Sequence, residues 1–137
     1  MNLDLTVELV AVSAEELGAI GSRAYLNKHE DEMLTQAVAC VNLDTFLGSG
    51  IGTEPEIHVS STLAGLVQLA LKETGLKCPR WFMLPSSMLS DHVPFVERGI
   101  PSMYLTSSLP AYYHTSDDTT KIINFKKLKL AIITAVN

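Results

Sequence analysis

The sequence predicts an α/β domain, a three-layer open sheet, mixed or mainly parallel, with helices on both faces. Three observations predict it. Short β-branched or apolar runs alternate with longer helix-patterned segments, as layered α/β folds require. Apolar residues make up 47% of the chain and charged residues only 18%, which suits strands buried on both faces. The polar clusters fall at the ends of the strand-like runs, where open sheets present their chemistry.

Leu5–Val12 reads as the first strand, rich in large and β-branched apolar residues. Gly18 marks a turn, and Gly21 to about His29 reads as a helix. Asp31–Gln36 is a polar connection with helical potential. Val38–Leu43 is a second strand. Gly48, Gly50 and Gly52 make a loop that no Lys-Ser/Thr pair follows, so it is not a phosphate loop. Glu56–Val59 is a short strand. Ser60-Ser61-Thr62 offers caps for a helix from Leu63 to Thr74, closed by Gly75. Its apolar face is Leu63, Leu66, Val67, Ala70 and Leu71. Arg80–Leu84 is a strand delivering the loop Pro85 to Leu89. His92–Arg98 is a short helix ending at Gly99, Pro101–Thr106 a strand, and Phe125 to about Ala135 the last helix, capped by Asn124.

The 137 residues make one domain, 1–137. A net charge of −5 without a sizeable Lys/Arg cluster argues against a nucleic-acid surface. No apolar stretch approaches the ~20 residues needed to cross a bilayer, and no signal-peptide pattern is present; the compartment stays open. Cys40 and Cys78 lack metal-site spacing, and Cys40 reads as a small buried hydrophobe.

The chemistry gathers in four places. Glu15 and Glu16 close the run that begins at Val7. Adjacent carboxylates at the end of a buried strand need a metal, a cation or a hydrogen-bond network; the plain alternative is a solvated helix start. Asp44 ends the second strand, where a turn-forming role is the alternative. Asp91 and His92 open the short helix, Asp91 as a cap or as support behind a ligand. His114 stands among Tyr112, Tyr113, Asp117 and Asp118, and the alternative for it is a loop histidine bonded to one of those acids. His29 and His58 read as surface or packing histidines.

These pieces together resemble peptidase family 28, the co-catalytic di-zinc aminopeptidases and their relatives. The matching segments are Ala14-Glu15-Glu16-Leu17-Gly18 with Gly21-Ser22-Arg23, Asn42-Leu43-Asp44, Ser90-Asp91-His92 with Pro94-Phe95, Gly99-Ile100-Pro101, and Tyr113-His114-Thr115 with Asp118-Thr119. They run in the family's order over nearly the whole chain. The resemblance implies a zinc-exopeptidase-like fold and a peptide substrate. It implies Glu15 as general base, Glu16 and His114 as ligands of one zinc and Asp44 as ligand of the other. Asp91, His92 and Asp118 would stand behind the ligands.

The resemblance also implies a histidine and a bridging aspartate ahead of the Glu-Glu pair. Only fourteen residues precede Glu15, and none is a histidine. The expectation is therefore an N-terminally truncated, partial catalytic domain, with zinc (two ions in the complete domain) weakly bound or absent in this chain. Self-association, or association with the missing N-terminal segment, would cover its open sheet edge. Two alternatives stand beside the peptidase: a non-catalytic interaction module of the same fold, and a single-zinc glutaminyl-cyclase-like acyltransferase.

Overall fold

The computed structural model describes residues 5–45, 54–87, 89–109 and 111–136. Among them a four-stranded sheet is built from β1 (Cys40–Leu43), β2 (Pro55–Val59), β3 (Arg80–Met83) and β4 (Ser102–Ser107), in the order β1-β4-β2-β3. β1 runs parallel to β4, with Cys40 opposite Ser102 and Leu43 opposite Leu105. β2 runs parallel to β3 and antiparallel to β4. The sheet is thus mixed. Five α-helices accompany it: α1 (Ile20–Lys28), α2 (Glu30–Gln36), α3 (Ala64–Thr74), α4 (Val93–Glu97) and α5 (Phe125–Val136).

Successive side chains of a strand point to opposite faces, and β2 and β4 use this to separate two environments. Ile57, Val59, Met103 and Leu105 form one face. They are buried in a core with Val67 of α3 and Ala131 of α5. The other face carries His58, Tyr104 and Thr106, all buried. α4 covers it through His92, whose ring stacks on Tyr104 at 4.5 Å. α1 packs beside α4, tied to it by Arg23–Glu97 at 2.6 Å. Every residue of β4 is buried, as a central strand between two helical layers must be.

Several sequence expectations are met. Gly75 ends α3 in the left-handed region, φ 71°, and its N–H bonds to the Leu71 carbonyl. Asn124 caps α5 by accepting from the Lys127 N–H at 3.1 Å. The polar connection after α1 forms the seven-residue helix α2.

Others are corrected. Leu5–Val12 forms no strand: a strand exists only with a ladder partner, and none pairs with it among the described residues. Leu9 is 93% exposed there. Ser60 does not cap α3 through its side chain, because its hydroxyl accepts from the Ser102 N–H at 2.9 Å. Leu66 lies on the solvent side of α3. The residue at the N-terminal cap of α4 is His92 rather than Asp91, and it makes no side-chain capping bond. The glycine loop Gly48–Gly52 lies outside the described residues. Among the described residues no helix is long and apolar enough to cross a membrane.

Candidate metal centre

Glu15 and Glu16 owe their placement to a tight reversal of the chain. Ala14 takes a left-handed φ of 59°, and Glu15–Leu17 form a single 3-10 turn. The Ile20 and Gly21 N–H groups then bond back to the Ala14 and Ser13 carbonyls, at 3.2 and 3.1 Å. The start of α1 is thereby pressed onto Ser13. A Cβ at Gly21 would lie 2.3 Å from the Ser13 carbonyl oxygen, so only glycine allows this approach.

Because β1 and β4 are parallel, Asp44 and the segment after β4 leave the sheet at the same edge. The Asp44 N–H extends the ladder to the Leu105 carbonyl at 3.3 Å. The Asp44 carboxylate Oδ2 accepts from the Ser90 hydroxyl at 2.9 Å. His114, itself left-handed at φ 58°, brings Nε2 to 2.6 Å from Glu16 Oε1. The Tyr113 hydroxyl donates to the same oxygen at 3.2 Å, and its ring stacks on His114 at 3.8 Å. Non-glycine residues rarely adopt a positive φ. Here Ala14, Ala19, Thr45 and His114 do so, and all but Ala19 stand beside or within the acidic cluster. Such strain gathers at functional sites when the surrounding structure enforces it.

The electrostatics tie these groups together. Burial pushes the Glu15 carboxyl above its usual range, and the fields of Asp44, Glu16 and Asp91 push it further, against a lowering by His114. Tyr113 is also raised, first by burial and then by Glu16. Asp91 has a buried Oδ1 without a hydrogen bond, and its charge reaches both Glu15 and Cys40.

His92 is buried against Tyr104, and both its ring nitrogens are without hydrogen bonds. Its pKa falls to about 4, from burial and then from His58. Asp118 is exposed, and its backbone N–H closes a turn on Thr115. His58 is a packing histidine, stacked on Phe82 at 4.7 Å. Sequence reasoning assigned nothing to Ser90 or Asn42. Both lie in segments that match the family, but an amide and a hydroxyl carry no spacing signal of their own.

Among the described residues no group of three or more His, Cys, Asp or Glu side chains is arranged to hold a metal. The donors present nevertheless fit zinc in kind. A carboxylate and an imidazole nitrogen face each other at Glu16 and His114, the ligand types zinc selects. Acids crowd around Glu15 with one histidine opposing them, an excess of negative charge that a cation would relieve.

The comparisons with known proteins agree with this chemistry. The chain is 28% identical to aminopeptidase YwaD of Bacillus subtilis (strain 168), over 93% of this chain and 30% of that protein. The solved zinc aminopeptidase BSAP from Bacillus subtilis superposes with a TM-score of 0.74 at 26% identity, covering 92% of this chain and 34% of that one. A shorter stretch of 36 residues is 44% identical to a glutaminyl-peptide cyclotransferase-like protein of Bos taurus, covering 26% of this chain and 9% of that protein. The chain thus spans about a third of the aminopeptidases it matches. The model of peptidase family M28 matches residues 1–136, and with the mixed sheet and the acidic edge already described, the chain belongs to that family.

Proposed function

We propose that Glu16 and His114 hold one zinc ion and Asp44 a second, that Glu15 is the general base, and that the reaction removes N-terminal residues from peptides. The observation that carries this reading is the 2.6 Å contact of His114 Nε2 with Glu16 Oε1, beside a carboxylate whose proton affinity is raised. Zinc, when bound, supplies a Lewis acid that makes water nucleophilic near neutral pH and polarises the peptide carbonyl. Glu15 takes the water proton and returns it to the departing amine. Burial and neighbouring acids move Glu15 toward the neutral range that such a shuttle needs. Tyr113 fixes Glu16 by donating to Oε1.

Three ligands are fewer than two catalytic zinc ions use, at about three protein ligands each. The chain alone therefore binds zinc weakly and turns over little unless another segment or chain completes the set. The local identity to the cyclotransferase-like protein supports a second reading, in which Asp44, Glu16 and His114 converge on one ion and the chemistry is acyl transfer to an internal amine.

Zinc content and hydrolysis of a chromogenic aminoacyl anilide test the assignment, in a form of the protein completed by the segment or chain that supplies the remaining ligands. Glu15→Gln should keep its zinc and lose turnover by roughly 10²–10⁴-fold. Glu16→Gln and His114→Ala should lose zinc. Near-normal turnover in Glu15→Gln overturns the base assignment. A stoichiometry of one tightly held ion selects the acyl-transfer reading.

A further inference from the structure

We infer that Asn42 is a positioning residue for Asp44, acting through Ser90. The inference rests on the reading of Asp44 as a metal ligand. Asn42 Nδ2 donates to Ser90 Oγ at 2.8 Å, and Ser90 Oγ donates to Asp44 Oδ2 at 2.9 Å. Asn42 and Asp44 are two residues apart, so their side chains leave the same side of the chain, and Ser90 bridges them from the turn before α4.

Proton counting fixes the direction of the line. A serine hydroxyl has one proton to give, and an ionised carboxylate only accepts. Ser90 is 2% exposed, so solvent does not relax the constraint, and its proton goes to Asp44. Asn42 must then present its amino group to Ser90 rather than its carbonyl. Tyr104, opposite Asn42 in the ladder, also interacts with Ser90. Burial pushes its hydroxyl up to about 12, so it stays a neutral phenol. The line commits Oδ2 of Asp44 to the protein and leaves Oδ1 to face a cation.

The decisive variant is Asn42→Asp, which keeps the shape of the side chain and replaces the donor by an acceptor. Two carboxylates then compete for the single Ser90 proton. Added negative charge alone would tighten zinc binding, whereas loss of the line should weaken it, by about 10–100-fold as for other groups that orient metal ligands. The two mechanisms therefore give opposite signs.

Zinc affinity is measured by competition with a chromophoric chelator, in the form of the protein completed by the remaining ligands, and a crystal structure of the variant reads the Ser90–Asp44 separation. The expected result is weaker zinc binding, with Ser90 turned toward residue 42 and away from Asp44. Unchanged or tighter zinc binding overturns the inference, as does an intact Ser90–Asp44 bond. Asn42→Ala adds no charge and should act in the same direction with a smaller effect, which keeps the test open if the aspartate variant does not fold. Asp44→Asn separates the two levels. If it leaves zinc affinity unchanged, the reading of Asp44 as a ligand fails. If it loses zinc while both Asn42 variants keep it, only the positioning role fails.

Discussion

The two faces of β2 and β4 are built from the same strands and do different work. One face, Ile57, Val59, Met103 and Leu105, is wholly apolar and meets α3 and α5. The other, with Glu56, His58, Tyr104 and Thr106, is just as buried but polar. The first holds the fold together through area removed from water. The second gives up some of that stabilisation to host groups with directional bonds and titrating protons, and it is the side on which Asn42, Ser90 and Asp44 are linked. Burial alone therefore does not separate core from site in this molecule; the parity of a residue along its strand does.

The largest expected effect falls on the apolar face. Leu105→Ala removes a fully buried side chain and should cost about 3 kcal/mol, read from the urea midpoint. A loss below about 1 kcal/mol would mean that this face is not the main source of stability.

The polar face should respond to acid instead. His92 has a folded pKa near 4, below its ordinary value, so between about pH 6.5 and 4 the unfolded chain binds a proton that the folded chain refuses. Stability is then lost as pH falls through that window, by up to about 3 kcal/mol. His58 is lowered too, chiefly by burial, and adds in the same direction. His92→Phe should flatten the slope. It should cost little at pH 7, because neither ring nitrogen has a partner to lose. An undiminished acid slope in that variant would assign the effect to other groups.

The smallest effect is expected at Leu66, the apolar residue of α3 that faces solvent. Leu66→Ala should change stability by less than about 0.5 kcal/mol. A cost approaching that of Leu105→Ala would show that this surface is covered in solution.

The contrast also explains what could be read from sequence. α3 was legible because Gly75 and the 3.6-residue apolar period are local signals, yet the period could not tell Leu66 from Val67 at the edge of the stripe. β4 was legible as an apolar run. Leu5–Val12 carries the same strand signature but has no ladder partner among the described residues, and pairing is a property of the neighbour rather than of the segment. At the candidate site, Glu15, Glu16, Asp44 and His114 stood out as a family pattern, and the roles proposed for them rest on that pattern. The contact between His114 and Glu16 depends on two left-handed residues, Ala14 and His114, that no propensity anticipates. The line from Asn42 through Ser90 was not legible at all, since an amide and a hydroxyl 48 residues apart share no periodicity.

Gly21 has a consequence for heritable variation. Every single-nucleotide missense change of a glycine codon introduces a residue with a Cβ, and here that atom would meet main-chain atoms of Ser13 at 2.3 and 2.7 Å. Main chain cannot swing aside as a flexible side-chain tip can. Any such allele must lift α1 away from the turn that carries Glu15 and Glu16, so a change outside the acidic cluster would reach it without altering one of its acids.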